Sequence, residues 1–224
     1  MEIEDFCHRY PKLMHAASPD AWPSIQKHGL LSTKTIASCV GLSEAECEKL
    51  CVTHRKFSIP LNGFTIRDQK PMNMAMLERC LCDDTTPPEW LALLNSKVFF
   101  WPRKRQVTKS DRLNRFIAKY TDEPLLVMEF SSFRLLSELA KDVSLCHLNT
   151  GATRSVAHKR GKSSFIAFHE YLWSPTNEVA EVTVPDRVTD VHRFLDRVSL
   201  MDSERDTVVL LERKSADASH IDSL

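Results

Sequence analysis

The segment Asn177-Glu178-Val179-Ala180-Glu181-Val182-Thr183-Val184 constrains the fold more than any other part of the chain. It is β-branched and apolar, with no Gly or Pro inside, and so predicts a short strand. Side chains alternate across a strand, so Glu181 shares a face with Val179 and Thr183, while Ala180, Val182 and Val184 share the other. A strand apolar on both faces is usually covered on both sides. The fold must therefore bury a carboxylate in the middle of this strand and give it a partner or a task. A paired structural glutamate is the ordinary reading of such a residue.

The rest of the chain predicts an α+β unit around that strand. Leu13 to Ala17 reads as a first strand, followed by a helix start at Ser18-Pro19-Asp20 and a stop at Gly29. Ser43-Glu44-Ala45-Glu46 is a capping box opening a helix to about Arg55, and Thr86-Pro87-Pro88-Glu89 repeats it before a helix through Leu94. Asn73 to Cys82 is helical by pattern. Later, Val98-Phe99-Phe100-Trp101 is a β-prone run cut off by Pro102, and Asp111 to Tyr120 reads as a helix. Strands are expected at Leu125–Phe130, Val143–Leu148 and Ser164–Phe168, while Val208–Leu211 fits a strand or a helix equally. At 224 residues, one domain over 1–214 is expected, with a helical insertion over 39–95 and a frayed polar tail over 215–224.

Lys plus Arg and Asp plus Glu balance at 30 each, which excludes whole-protein electrostatic attraction to nucleic acid but leaves room for a local basic patch. Seven scattered cysteines suit reduced thiols better than a disulfide framework. The acidic start Met1-Glu2-Ile3-Glu4-Asp5 is not a signal pattern, and no apolar run approaches a membrane span. A cytoplasmic protein without membrane partners is the expectation. Cys47, Cys51 and His54 share one helical face, but paired Cys-x-x-Cys knuckles are missing, so no metal is expected.

Three pieces read in order carry a resemblance. The first is His15 at a strand end, then Trp22-Pro23-Ser24-Ile25 and His28-Gly29-Leu30-Leu31-Ser32. The second is Val98-Phe99-Phe100-Trp101-Pro102-Arg103, and the third is Ala180-Glu181-Val182-Thr183-Val184-Pro185 running into Val188 and Val191. Over roughly residues 8 to 193 this order resembles the DarT-type nucleic-acid ADP-ribosyltransferases and uncharacterised bacterial relatives with the same layout.

The resemblance implies an ADP-ribosyltransferase-like fold, with a split, bent β core and helices inserted between its early strands. It implies transfer of ADP-ribose from NAD, as co-substrate, to a nucleic-acid base in a toxin-like bacterial enzyme. A protein or small-molecule acceptor, or a non-catalytic nucleotide-binding module, is the alternative. Glu181 matches the carboxylate that stabilises charge at the anomeric carbon, and Arg103 matches the arginine that holds the cofactor. The chain departs from the pattern after Arg103, continuing Lys104-Arg105-Gln106-Val107, which makes Arg67 a rival. His15 falls where a ribose contact is expected, Ser32 and Thr33 are phosphate or ribose caps or else turn residues, and Phe100 or Trp101 is placed to stack on nicotinamide. Arg154, Lys159, Arg160 and Lys162 lie just upstream of the Glu181 strand, where acceptor phosphates would land. An antitoxin or ADP-ribosyl hydrolase is a partner the sequence leaves open.

Overall fold

A computed structural model describes residues 1–69, 72–106, 112–118, 120, 123–153, 158–202, 204 and 206–213, with the backbone alone at 112 and 116. In chain order the elements are α1 (Ile3–Arg9), β1 (Lys12–Ala17), α2 (Trp22–His28), β2 (Leu30–Leu31), α3 (Thr33–Cys39), α4 (Glu44–Val52), β3 (Ile59–Leu61), β4 (Phe64–Ile66), α5 (Met74–Cys80) and α6 (Pro87–Asn95). Then follow β5 (Lys97–Arg103), α7 (Arg112–Ile117), β6 (Leu125–Ser131), α8 (Ser132–Leu139), β7 (Ser144–Cys146), β8 (Ile166–Ala167), β9 (Glu181–Pro185), β10 (Arg187–Val188), β11 (Leu195–Met201) and β12 (Thr207–Glu212). This is a mixed α+β fold with helices interspersed among strands that form open sheets.

The main sheet runs β12-β11-β6-β1-β5-β9-β7-β8, with neighbours antiparallel throughout. Its middle is split. β1 pairs with β6 along its whole length, Lys12 to Ala17, but with β5 only from Lys12↔Arg103 to Met14↔Trp101. Beyond that point β5 turns its other edge to β9, pairing Lys97 to Phe100 with Pro185 to Val182. The missing N–H of Pro102 therefore costs β5 no bond to β9. Past Met14 and Trp101, His15, Ala16 and Ala17 on one side and Lys97, Val98 and Phe99 on the other diverge, and a cleft opens between them.

Each face of the sheet has its own apolar layer. On one, Phe6 and Tyr10 with Leu135 and Leu136 of α8 cover Leu13, Phe100, Met128, Phe130 and Val182. On the other, Leu113 and Tyr120 cover Met14, Ala16, Leu125 and Val127. A third cluster joins Leu77 of α5 and Trp90, Leu91 and Leu94 of α6 to Phe99. The strand around Glu181 is buried on both faces, as its composition requires.

Local signals set the helix starts. Ser43 and Glu46 form the expected capping box, as do Thr86 and Glu89 with Pro87 at the first helical position. Gly29 ends α2 at φ +80°, and a Cβ there would lie 2.1 Å from the Val188 carbonyl oxygen, so β2 and β10 meet only because the residue is glycine. The 39–95 segment holds, besides its helices, the hairpin β3–β4, which had no counterpart in the helical expectation. Val208–Leu211 lies within strand β12. The expected tail over 215–224 lies outside the described residues.

Candidate functional site in the sheet cleft

The cleft where β1 and β5 part has a volume of about 430 Å³, within the roughly 300–1,000 Å³ of small-ligand sites. Of the residues singled out from sequence, His15, Ser32, Thr33, Arg67, Trp101 and Glu181 line it together. They come from β1, the start of α3, the end of the β3–β4 hairpin, β5 and β9.

His15 marks the split itself. Its Nδ1 lies 2.8 Å from the Phe99 carbonyl oxygen, a bond that stands where the β1–β5 ladder has ended. A carbonyl only accepts, so Nδ1 carries the proton. Burial, offset in part by that carbonyl, and the nearby Arg67 charge hold the imidazole below its ordinary pKa of 6.5. The neutral ring then offers Nε2 as an acceptor, which suits a hydroxyl.

Glu181 is 4 % exposed. Its Oε2 accepts from the Thr150 backbone N–H at 3.0 Å and from Thr150 Oγ1 at 2.7 Å. Cys146 faces it across the β7–β9 ladder, and burial together with the Glu181 charge pushes that thiol strongly up. The turn that carries Thr150 is in turn bound by Arg160, whose Nη1 donates to the carbonyls of Asn149, Thr150 and Ala152 at 3.4, 3.2 and 3.0 Å.

The opposite wall is cationic. Arg67 Nη1 donates to Ser18 Oγ at 3.3 Å, Nη2 pairs with Glu123 at 3.4 Å, and the guanidinium lies 4.3 Å from the Tyr120 ring centre. Arg55 is buried and donates to the Arg67 carbonyl at 3.2 Å, to Thr33 Oγ1 at 3.4 Å and to Asn95 Oδ1 at 2.9 Å. Asp68 accepts from the Tyr120 hydroxyl at 3.0 Å, and burial and that carboxylate push Tyr120 up to about 12. Lys97 lies 5.0 Å from the Phe165 ring centre, and burial lowers its pKa. With Arg115, four basic side chains line the cleft against the two carboxylates Asp68 and Glu181, which favours an anionic ligand.

Several sequence expectations are corrected. Phe100 is fully buried, packed 5.2 Å from Phe130 and 5.8 Å from the His15 ring, so it supports the imidazole from the core and reaches no ligand. Strand alternation gives the cleft Phe99 and Trp101 instead. Arg103 sits at the end of β5 opposite Lys12 and does not line the cleft, whereas its rival Arg67 does. Arg160 is 2 % exposed and surrounded by carbonyls, so it is no phosphate contact. Lys159 and Lys162 are exposed but stand away from the cleft, Lys159 donating to the Arg79 carbonyl and Lys162 facing Glu89 at 3.7 Å. Arg154 lies outside the described residues. Ser32 caps α3 by accepting from the Thr35 N–H at 3.1 Å. Glu178, read as part of the strand, precedes β9 and pairs with Lys104 at 2.5 Å.

Sequence reasoning passed over Arg55, Asn95, Lys97 and Tyr120, and it read Thr150 only as part of a polar turn. Asn95-Ser96-Lys97 immediately before an aromatic strand was the one local signal available. Among the described residues, no group of three or more His, Cys, Asp or Glu is arranged to hold a metal ion, and no helix is long and apolar enough to cross a membrane. All seven cysteines are free thiols. No curated protein matches the chain. Residues 11–195, which span β1 to the start of β11 and so every strand wall of the cleft, match a family of unknown function, DUF7002, and the chain belongs to that family.

Proposed function

We propose that this protein is an NAD-dependent ADP-ribosyltransferase on an ADP-ribosyltransferase-like split core, acting on a nucleic-acid base in the cytoplasm. The observation that carries the reading is the meeting of His15, Arg67 and Glu181 at one cleft, opened where β1 and β5 part. The excess of basic side chains suits a pyrophosphate, and forked guanidinium donors suit its oxygens. The neutral imidazole acceptor suits a ribose hydroxyl, and Trp101 in the lining suits a nicotinamide ring.

The reaction asks little covalent work of the protein. The bond between ribose C1′ and the nicotinamide nitrogen breaks, and nicotinamide leaves with the electron pair. A base nitrogen of the acceptor bonds to C1′, and its proton passes to the Glu181 carboxylate. Positive charge builds at C1′ as the bond stretches, and a fixed anion in a desolvated site stabilises it. The Thr150 bonds hold that anion in place beforehand.

The acceptor is the weaker part of the reading, because Arg160 is spent inside the protein. That burial favours a second reading, in which a protein or small molecule is modified. Mass spectrometry of mixed oligonucleotides and cell extract incubated with the protein and NAD separates the two. An added ADP-ribose unit on oligonucleotides supports the first, and on protein alone the second. Absence of any such adduct, with no calorimetric heat from millimolar NAD, removes the transferase reading.

A further inference from the structure

We infer that Arg160 is a positioning residue for Glu181, acting through the turn over 149–152 and not on any ligand. Its guanidinium is buried, and four carbonyl oxygens converge on it: Asn149, Thr150 and Ala152 on Nη1, and His158 on Nη2 at 3.4 Å. Carbonyls brought together this closely repel one another unless a cation lies between them. A planar guanidinium fills that place with donors in fixed directions. The turn held this way aims the Thr150 N–H and hydroxyl at the same carboxylate oxygen, Oε2 of Glu181. The proton of Thr150 Oγ1 is thereby committed, and the carboxylate is fixed in one rotamer.

Arg160 is itself fastened to the end of α5. Its N–H donates to the Cys80 carbonyl at 2.9 Å, and its carbonyl accepts from the Cys82 N–H at 3.0 Å. The next residue, Gly161, packs so close that a Cβ would lie 2.5 Å from Asp83 Oδ2 and 2.9 Å from the Cys82 carbonyl oxygen. Asp83 continues the attachment by accepting from the Ser163 N–H at 3.2 Å. A continuous path of bonds therefore runs from the end of α5 through Arg160, the 149–152 turn and Thr150 to Glu181.

The activity arm of the test rests on the ADP-ribosyl-transfer reading; the exchange arm does not. Arg160→Lys keeps a charge but replaces the planar fork with a compact ammonium. Turnover of NAD is expected to fall about a hundredfold, the scale of an ångström-level misplacement of a reacting group. NAD affinity should fall much less than turnover, since the 149–152 turn that Arg160 holds is only one part of the cleft lining and Arg160 itself is not in it. Amide hydrogen exchange at Thr150 should accelerate about tenfold or more as its bond to Glu181 opens. Thr150→Val replaces the hydroxyl by a methyl of similar size and should cost about tenfold in turnover, while Thr150→Ser keeps the hydroxyl and should retain turnover. In the double variant the losses should not multiply, because both substitutions cut one path. Wild-type Thr150 exchange and turnover in Arg160→Lys, or losses that multiply, overturn the assignment. If Arg160→Lys does not fold, full turnover in Thr150→Val breaks the path at its last link. A wild-type protein inert toward NAD defeats the transferase reading, while Thr150 exchange still decides the role of Arg160.

Discussion

Glu181→Gln separates a working carboxylate from a structural one. The substitution keeps size and shape, and the amide oxygen still accepts the Thr150 N–H and hydroxyl that now lie 3.0 and 2.7 Å from Oε2. What goes is the negative charge. Two charge-assisted bonds of about 1.5–3 kcal/mol become neutral ones of about 1 kcal/mol each, a loss of roughly 1–4 kcal/mol. Burying a neutral amide costs less than burying an anion, which returns part of that loss. The net destabilisation should stay below about 2 kcal/mol, or a fall in melting temperature of less than about 8 °C for a chain of this size. The chemical step behaves differently. Loss of one group that stabilises transition-state charge costs about a hundredfold or more in rate, equivalent to about 2.7 kcal/mol. NAD affinity, read by calorimetry, should barely move. Single-turnover ADP-ribosylation and thermal melting, measured on the same preparation, decide the matter. A folded Glu181→Gln protein that turns over NAD at the wild-type rate refutes the mechanism, and a large melting loss with full activity identifies Glu181 as structural.

The remaining predictions use other walls of the fold. Arg67→Ala should weaken NAD binding by about tenfold or more, whereas Arg103→Ala should leave it within about twofold; calorimetry on the pair checks which arginine faces the ligand. His15 is held neutral below 6.5, so the unfolded chain binds the extra proton as pH falls beneath that value; stability is full above about 6.5 and declines as pH drops toward the lower folded value, and His15→Gln should flatten that part of a melting-versus-pH series. Gly29→Ala, facing the Val188 carbonyl, should destabilise by about 2 kcal/mol or more, while Gly41→Ala, at φ +76° with open space, should cost only about 1 kcal/mol in urea titrations. Lys159→Glu with Lys162→Glu should leave both NAD affinity and oligonucleotide modification unchanged across a salt series, since neither lysine lines the cleft, and a steep salt-dependent loss returns this surface to acceptor binding.

Signals confined to a few neighbouring residues were legible in the sequence. The Ser43–Glu46 and Thr86–Glu89 boxes, the glycine stop at Gly29 and the doubly buried strand at Glu181 each follow from local chemistry. Helix α8 and strand β11 passed without notice, because their places depend on partners far along the chain, such as the pairing of Val198 with Met128. Period two along β5 would have chosen Phe99 and Trp101 over Phe100, since neighbours in a strand face opposite sides. The basic cluster at 158–162 misled for a physical reason. A charge run records only that cations are present, and Arg160 is turned inward by carbonyls from a turn about ten residues earlier, while Lys159 and Lys162 stay in water. Nothing in a window of five residues distinguishes those fates.

The buried arginine Arg55 explains why the 39–95 segment belongs to the site rather than to its periphery. A guanidinium buried like this one is tolerable only if its donors are satisfied. Its partners are the Arg67 and Leu50 carbonyls, Thr33 Oγ1 and Asn95 Oδ1, and Asn95 in turn donates to the Cys51 carbonyl at 2.7 Å. These bonds join α3, α4 and the β3–β4 hairpin to Asn95 at the end of α6, just ahead of β5. The hairpin then delivers Arg67 and Asp68 to the gap that the parting of β1 and β5 leaves open. One wall of the cleft is therefore built by hydrogen bonds to a cation, and the other by the Arg160 turn that grips Glu181. Both walls solve the same problem, a buried charge that needs carbonyl or amide partners, and each solution leaves polar groups aimed at the space between them.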